Sequence, residues 1–475
     1  MDELLLGPIV GGLKPDRAFL WGRASGPGLL YAWLGSKPDM SDAWLAGKSL
    51  PLAAENGYAG VAPVNELSPN TRYRYALTLS DQPPRPEQAP FPRFTTFPLD
   101  RQPTSFTFAF GSCFRPENEQ GGRIFDAIDS LRQEQDLRFI LLIGDQIYAD
   151  AYDKNGIGKV ACSLQEYRGV YTYTWSRPPF RKLLMNLPAF MTLDDHEVDD
   201  DWRWQDKDRQ WAQIPWWDKV QRWFQGRPPQ ERNIPLKRVQ DALQAYWEHQ
   251  GMHAPHLELP PAVNIAGQYD LAKGDPGSLA YNFSFGSAAF FVLDTRTMRV
   301  CMGRERSMLS EGQWRVLEDW LLRVKDAYPV KFIVTSCALL FRMWLDVPRD
   351  RWSGFPGERD RLLRFLAKNG IENVYLLAGD LHSAHAVCAH LNGPGGHKIP
   401  LWEFCSSPFE QQPNTLSSRT YWPLRGGTVH SQRLEFRAAK HNFGLVRVSY
   451  DDMGSPSVLF EVRGAQGELL GKAGE

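Results

Sequence analysis

The chain has 475 residues, 43% hydrophobic and 23% charged, which is enough for a large buried core plus a smaller companion unit and too apolar for wholesale disorder. A formal net charge of −1 excludes bulk attraction to nucleic acid or anionic membrane and leaves room only for a local basic pocket. No apolar run approaches the ~18–20 residues of a membrane span.

The start, Met1-Asp2-Glu3-Leu4-Leu5-Leu6-Gly7, lacks the basic region and long apolar stretch of a signal peptide. The expectation is a cytoplasmic chain as given, or a periplasmic or secreted one if a leader was removed. Residues 1–100 read as all-β. Ala18-Phe19-Leu20-Trp21 and Leu29 to Leu34 are apolar runs parted by Gly, Pro, Ser and Asp. Arg72-Tyr73-Arg74-Tyr75-Ala76-Leu77-Thr78-Leu79 alternates with period two, the mark of a half-buried strand. The turn Leu67-Ser68-Pro69-Asn70 feeding that tyrosine strand resembles fibronectin type III domains, and Phe94-Thr95-Thr96-Phe97-Pro98 fits a closing strand. Gln82 to Pro92 is expected to be a long hairpin loop.

Beyond Pro103 the rhythm changes. Phe106–Phe110, Phe139–Ile143, Ala189–Leu193, Ala289–Leu293, Val330–Val334 and Val374–Ala378 are short apolar runs. Helical stretches lie between several of them, at Ile124–Leu131, Trp314–Val324 and Arg359–Lys368. Doubly buried strands alternating with helices predict an α/β unit over residues 104–475. Phe443–Tyr450 and Ser457–Val462 read as a closing hairpin. The segment 202–224 carries Trp202, Trp204, Trp211, Trp216, Trp217 and Trp223. It reads either as an aromatic subcluster on the core or as a lid over a site.

Four strand ends carry metal-binding residue types: Gly111-Ser112-Cys113, Gly144-Asp145-Gln146-Ile147-Tyr148, Asp194-Asp195-His196-Glu197 and Gly379-Asp380-Leu381-His382. Sites in open α/β sheets form beyond the C-terminal ends of strands. The acidic run Asp194, Asp195, Glu197, Asp199, Asp200 and Asp201 would repel itself unless a polycation sat among its members. For Asp199 to Asp201 an exposed acidic turn is at least as good a reading; for Asp195 and His196, directly after a buried strand, a metal site is preferred. Carboxylates suit hard cations, whereas thiolate, phenolate and imidazole suit iron, zinc or copper. A carboxylate bridging two unlike metals fits this mixture, and Asp145 is the candidate bridge, with Tyr148 three residues on. The remaining cysteines, Cys162, Cys301, Cys337, Cys388 and Cys405, are scattered without a C-x-x-C pair and read as reduced, inert thiols. His196-Glu197-Val198-Asp199-Asp200 has no second histidine for a zinc-protease motif, no P-loop or G-x-S-x-G elbow occurs, and a cysteine-phosphatase loop is excluded because Glu119 stands where its arginine would be.

Gly-Ser-Cys, Gly-Asp-x-Ile-Tyr, Asp-Asp-His-Glu-Val and Gly-Asp-x-His, in this order, resemble the alkaline phosphatase D family of calcineurin-like metallophosphoesterases, and Leu293-Asp294-Thr295-Arg296 resembles a further strand end of that family. The resemblance implies a four-layer sandwich of two mixed sheets flanked by helices, preceded by a small β-sandwich, and hydrolysis of phosphate mono- or diesters. It implies Fe3+ held by Cys113, Asp145, Tyr148 and His382. It also implies one or two Ca2+ held by Asp145, Asp380 and a residue of the Asp194–Asp195 region, with Zn2+, Mn2+ or Mg2+ as substitutes. Asp199, Asp200 and Asp201 depart from the asparagines frequent there. Arg115 and Arg296 are candidates for phosphate contact, and His196 for orienting the site or protonating the leaving group. Another metal hydrolase acting on carboxylic esters or amides, or a non-catalytic binding protein, are the alternatives. The expected partner is a small phosphate ester; the oligomeric state is not legible.

Overall fold

The computed structural model describes residues 4–202, 204, 234–271, 276–301, 306–343, 350–416 and 420–474, and the elements named are those of these residues. Seven strands come first: β1 (Leu4–Gly11), β2 (Ala18–Ala24), β3 (Tyr31–Gly35), β4 (Trp44–Lys48), β5 (Ala59–Val64), β6 (Arg72–Thr78) and β7 (Arg93–Thr95). They form two antiparallel sheets, ordered β1-β2-β5 and β4-β3-β6-β7. The period-two reading of β6 holds, with Tyr75 and Leu77 turned into the core. Gln82 to Pro92 is a hairpin loop, since β6 and β7 pair with Arg72 opposite Thr95.

The rest builds two larger sheets. One combines β8 (Phe106–Gly111), β9 (Leu137–Ile143) and β10 (Ala189–Thr192), which are parallel, in the order β10-β9-β8-β18-β19-β20. The antiparallel half is β18 (Asn442–Tyr450), β19 (Pro456–Gly464) and β20 (Leu469–Gly474). The expected closing hairpin is thus β18–β19, and it inserts β18 beside β8. The other sheet runs β11-β12-β13-β14-β16-β15-β17. Its strands are β11 (Tyr281–Phe285), β12 (Ala288–Val292), β13 (Val330–Val334), β14 (Val374–Ala378), β15 (Ala384–Asn392), β16 (Lys398–Cys405) and β17 (Val429–Ala438). β12, β13, β14 and β16 are parallel.

Each buried strand sends alternate residues to opposite faces, and this creates the layers. In β9, Phe139, Leu141 and Ile143 point into the space between the sheets, where Phe108, Phe190, Phe283, Phe290 and Phe332 stack. The ring centroids are 4.9 Å apart for Phe108–Phe139 and 4.0 Å for Phe190–Phe283. Ile140 and Leu142 point outward to α1 (Arg123–Glu134), α2 (Leu164–Trp175), α3 (Pro178–Asn186) and α4 (Leu236–His249). On the far side Phe291, Ile333 and Leu376 meet α5 (Glu311–Val324) and α6 (Pro356–Asn369). The result is helices, sheet, sheet, helices. Among the described residues, no helix is long and apolar enough to cross a membrane.

The N-terminal sheets are joined to this sandwich by buried polar contacts as well as by chain. The Trp21 indole donates to Glu248 O at 2.8 Å, the Tyr75 hydroxyl to Met185 O at 2.7 Å, and Arg168 to Glu55 O at 2.7 Å. Arg168 also holds both Glu248 oxygens, at 2.7 and 2.6 Å. Trp202 and Trp204 lie in the core between the first sheet and its helices, so for these two the subcluster reading holds and the lid reading is corrected. Trp211, Trp216, Trp217 and Trp223 lie outside the described residues.

Candidate metal centre

β8, β9, β10 and β14 end at one edge of the sandwich, and the chain turns sharply at each end. Cys113, Asp145, Asp380 and His382 all have left-handed backbones, with φ of 63°, 55°, 63° and 52°. A non-glycine residue pays of order 1–3 kcal/mol for this, a strain that persists where the surroundings over-determine it. Gly144, at φ 82°, precedes Asp145; a Cβ there would collide with Asp194, so only glycine lets the ends of β9 and β10 approach. Gly379 similarly admits Ser112, whose Oγ accepts the Asp380 N–H at 3.0 Å and ties β8 to β14.

The turns gather the donor atoms. Cys113 Sγ lies 3.2 Å from Asp145 Oδ2, the Tyr148 hydroxyl 3.4 Å from the same oxygen, and the Tyr148 hydroxyl 3.2 Å from His382 Nε2. One ligand atom each from Cys113, Asp145 and His382 fall within 4.8 Å of one another, and so do those of Asp145, Asp194 and Asp380. Asp145 is common to both groups. Asp194 Oδ1 pairs with Arg296 and accepts from Ser336 Oγ at 2.7 Å, whereas Oδ2 is buried and has no hydrogen-bond partner. A buried carboxylate oxygen left bare is costly, and a cation satisfies it. Soft and hard donors meeting at a shared carboxylate form a donor set for metal ions.

The electrostatics of the bare protein ask for the same thing. Burial, followed by Asp380, pushes the Cys113 thiol up to about 12. Burial and then Cys113 raise Asp145 well above the carboxylate range, and burial and then Asp350 do so for Asp380. Burial drops the His382 imidazole to about 4, leaving it neutral and able to ligate.

His196 lies against Tyr148, tilted by 33° with centroids 4.1 Å apart, and sets Nδ1 2.8 Å from Asp150 Oδ1. Burial lowers its pKa, but Asp150, Asp195 and Asp145 outweigh burial and raise it well above the usual range. Asp195 pairs with Arg296 at 3.4 Å, accepts the Asp201 N–H at 2.6 Å, and forms a further acidic group with Asp201 and Asp350.

The acidic run divides by direction. Glu197 faces inward as a staple: Oε2 accepts the Asp145 and Asp194 N–H groups at 3.2 and 3.0 Å, and Oε1 the Gln146 N–H at 2.7 Å. Asp199 pairs with buried Arg238 at 3.1 Å, and Asp200 reaches His196 Nε2 at 3.9 Å. Both arginines expected at a phosphate are engaged by carboxylates. Arg296 is fully buried among Asp194, Asp195 and Asp350, and Arg115 pairs with Asp153. A further guanidinium beside the centre is that of Arg351, with Nε 3.3 Å from Asp380 Oδ2. No sequence signal pointed to it, since it follows no apolar run; Asp150, by contrast, was reachable from the Gly-Asp-x-Ile-Tyr-Ala-Asp spacing.

Comparison with known proteins bears on the fold and the family. Alkaline phosphatase D of Bacillus subtilis (strain 168) is 25% identical over 358 residues, 69% of this chain and 53% of that protein. The chain therefore spans about half the length of this curated relative. A solved structure of PhoD superposes with a TM-score of 0.71 at 17% identity, covering 99% of this chain and 88% of that one. The purple acid phosphatase PPD1 from yellow lupin (Lupinus luteus) seeds gives 0.59 at 13%, covering 98% and 73%. These likenesses fix the four-layer sandwich, and residues 108–454 match the sequence profile of the PhoD-like phosphatases. Strand-end motifs, sandwich and profile together make the chain a member of the PhoD-like phosphatase family.

Proposed function

We propose that the protein hydrolyses small phosphate mono- or diesters at this strand-end centre. The observation that carries the reading is the convergence of Cys113, Asp145, Tyr148 and His382 with Asp145, Asp194 and Asp380 around one shared carboxylate. The sulfur, phenol and imidazole donors suit Fe3+, and the all-carboxylate group suits Ca2+, with Zn2+, Mn2+ or Mg2+ able to substitute. Such ions, when bound, neutralise phosphoryl charge and acidify the attacking water.

The residues of the chain do the rest. Glu197 and Ser112 hold the backbones of Asp145, Asp194 and Asp380 in place. Asp150 fixes Nδ1 of His196, so Nε2 is the nitrogen that gives a proton to the leaving oxygen. Arg351 joins Arg115 and Arg296 as a candidate for phosphate contact, its planar fork matching two phosphoryl oxygens. The N-terminal sheets, residues 1–100, brace residues 104–475 through Trp21, Tyr75 and Glu55 and do not contribute to the centre.

The test is turnover of p-nitrophenyl phosphate and bis-p-nitrophenyl phosphate beside metal analysis of the same sample. Turnover that scales with metal content supports the proposal. Full metal loading with no turnover of either ester, but turnover of p-nitrophenyl acetate, would replace it with carboxylic-ester hydrolysis.

A further inference from the structure

The first sheet has a second gathering place, at the end opposite the metal centre. β6 and β7 bring Arg72 and Arg93 there, and the turn from α1 into β9 brings Arg132 and Arg138. The end of α3 closes it with Asn186 and Pro188. A pocket of about 180 Å³ remains between them, lined by four guanidinium groups and one carboxylate, Asp136. Leu137 opens β9 and Asp145 lies beyond its end, so at ~3.3 Å per residue the pocket is about 26 Å from the metal centre.

Among the described residues, the local carboxylates engage Arg132 but leave Arg93 and Arg138 without an ion pair. Arg72 approaches Asp136 only to 4.0 Å, with both side chains mostly in solvent. Asp129 is shared by Arg132 at 2.7 Å and Lys182 at 3.0 Å. Arg138 donates through Nη2 to Asn70 Oδ1 at 3.0 Å and Thr96 O at 3.2 Å, while its Nε is buried without a partner. Among the described residues Arg93 makes no side-chain hydrogen bond or ion pair. Burial, then repulsion by Arg72, Arg132 and Arg74, holds its guanidinium below the ordinary value. Arg74 itself donates to Phe91 O at 2.8 Å, just outside the pocket.

Clustered like charges in a polar recess favour an anion, and guanidinium forks match tetrahedral oxyanions in geometry. We infer that this pocket binds a phosphate-type oxyanion, with Arg93 and Arg138 as its inner ligands, Arg72 at its mouth, and Arg132, paired with Asp129, adding its field from the wall. The ligand is a single phosphate group, supplied either as free orthophosphate or as the end of a condensed phosphate emerging past Arg72. Because the pocket joins β6–β7 to β9, filling it ties the N-terminal sheets to the first sheet of the sandwich.

Hydrogen exchange of the intact protein, with orthophosphate, tripolyphosphate or chloride at matched ionic strength, tests this. Orthophosphate or tripolyphosphate should slow exchange over residues 70–75, 92–96 and 131–138, and whichever acts at the lower concentration identifies the source. Arg93→Gln should weaken that protection by about ten- to a hundredfold, the worth of one charge-assisted contact. Without anion this variant should melt no lower than wild type, because Arg93 has no partner to lose. Equal protection by chloride would mean mere screening and overturn the site. Protection confined to the loops after β8, β9, β10 and β14 would assign the anion to the metal centre and overturn it as well, as would protection undiminished in Arg93→Gln.

Discussion

Glu197→Gln separates the support of the metal centre from its ligands. The carboxylate is fully buried and shares four donors: Asp145 N and Asp194 N on Oε2, Gln146 N and Gln250 Nε2 on Oε1. An amide has only one acceptor oxygen, so two orientations compete. With its NH2 in the Oε2 position it would strand two backbone N–H groups. In the Oε1 position it strands a single backbone N–H, that of Gln146, and sets the new NH2 against Gln250, a side chain that can turn at the cost of its own bond to Tyr171. The second orientation wins. One stranded buried N–H costs about 1–3 kcal/mol, and the loss of charge assistance on the retained bonds adds about 1 kcal/mol. The expected destabilisation is about 2–4 kcal/mol, read as a lower urea midpoint at unchanged slope. Asp145 N and Asp194 N stay held, so metal content should stay near that of wild type. Glu197→Ala removes every acceptor and should lose metal together with stability. A Glu197→Gln protein with wild-type stability, or one that loses its metal while keeping its stability, would refute the staple.

Asp145→Asn should abolish turnover and lower the content of both metals, since the amide keeps the shape but not the charge shared by the two donor groups; normal metal content measured by elemental analysis would sink the bridging assignment. With ferric iron bound, Tyr148 and Cys113 should colour the concentrated protein violet to brown, dithionite should bleach it, and Tyr148→Phe should shift the visible band; a colourless protein carrying one quantified ferric ion per chain would remove both from its ligand set. Trp202→Ala should cost about 3–5 kcal/mol of stability as a core truncation, and a stable variant with an altered diester-to-monoester ratio would restore the lid reading. Asp195→Ala should cost more activity than Asp200→Ala, because Asp195 shares Arg296 with Asp194 while Asp200 approaches the centre through His196 at 3.9 Å; steady-state kinetics in the reverse order would move the second metal toward the later acids.

The sequence by itself determined the elements whose signal is local. The apolar runs at Phe106, Phe139, Ala189, Val330 and Val374 became β8, β9, β10, β13 and β14, because a strand buried on both faces must be apolar throughout. The strand-end motifs could be read because each donor stands within five residues of its run. The sequence did not announce β15, β16 or β17, whose polar stretches, as at His385 and Glu403, are paid for by partners far along the chain. Only the tertiary structure decided direction within the acidic run, where Asp194 turns to the donors, Glu197 to backbone amides and Asp199 to Arg238. It alone set Arg296 in a buried ion network with Asp194, Asp195 and Asp350 and placed Arg351 beside Asp380. A charge on a sequence says what a side chain can pair with, but a partner a hundred residues away is chosen by packing. For the same reason the four arginines at the far end of β9, separated along the chain, formed a pocket that no local pattern marked.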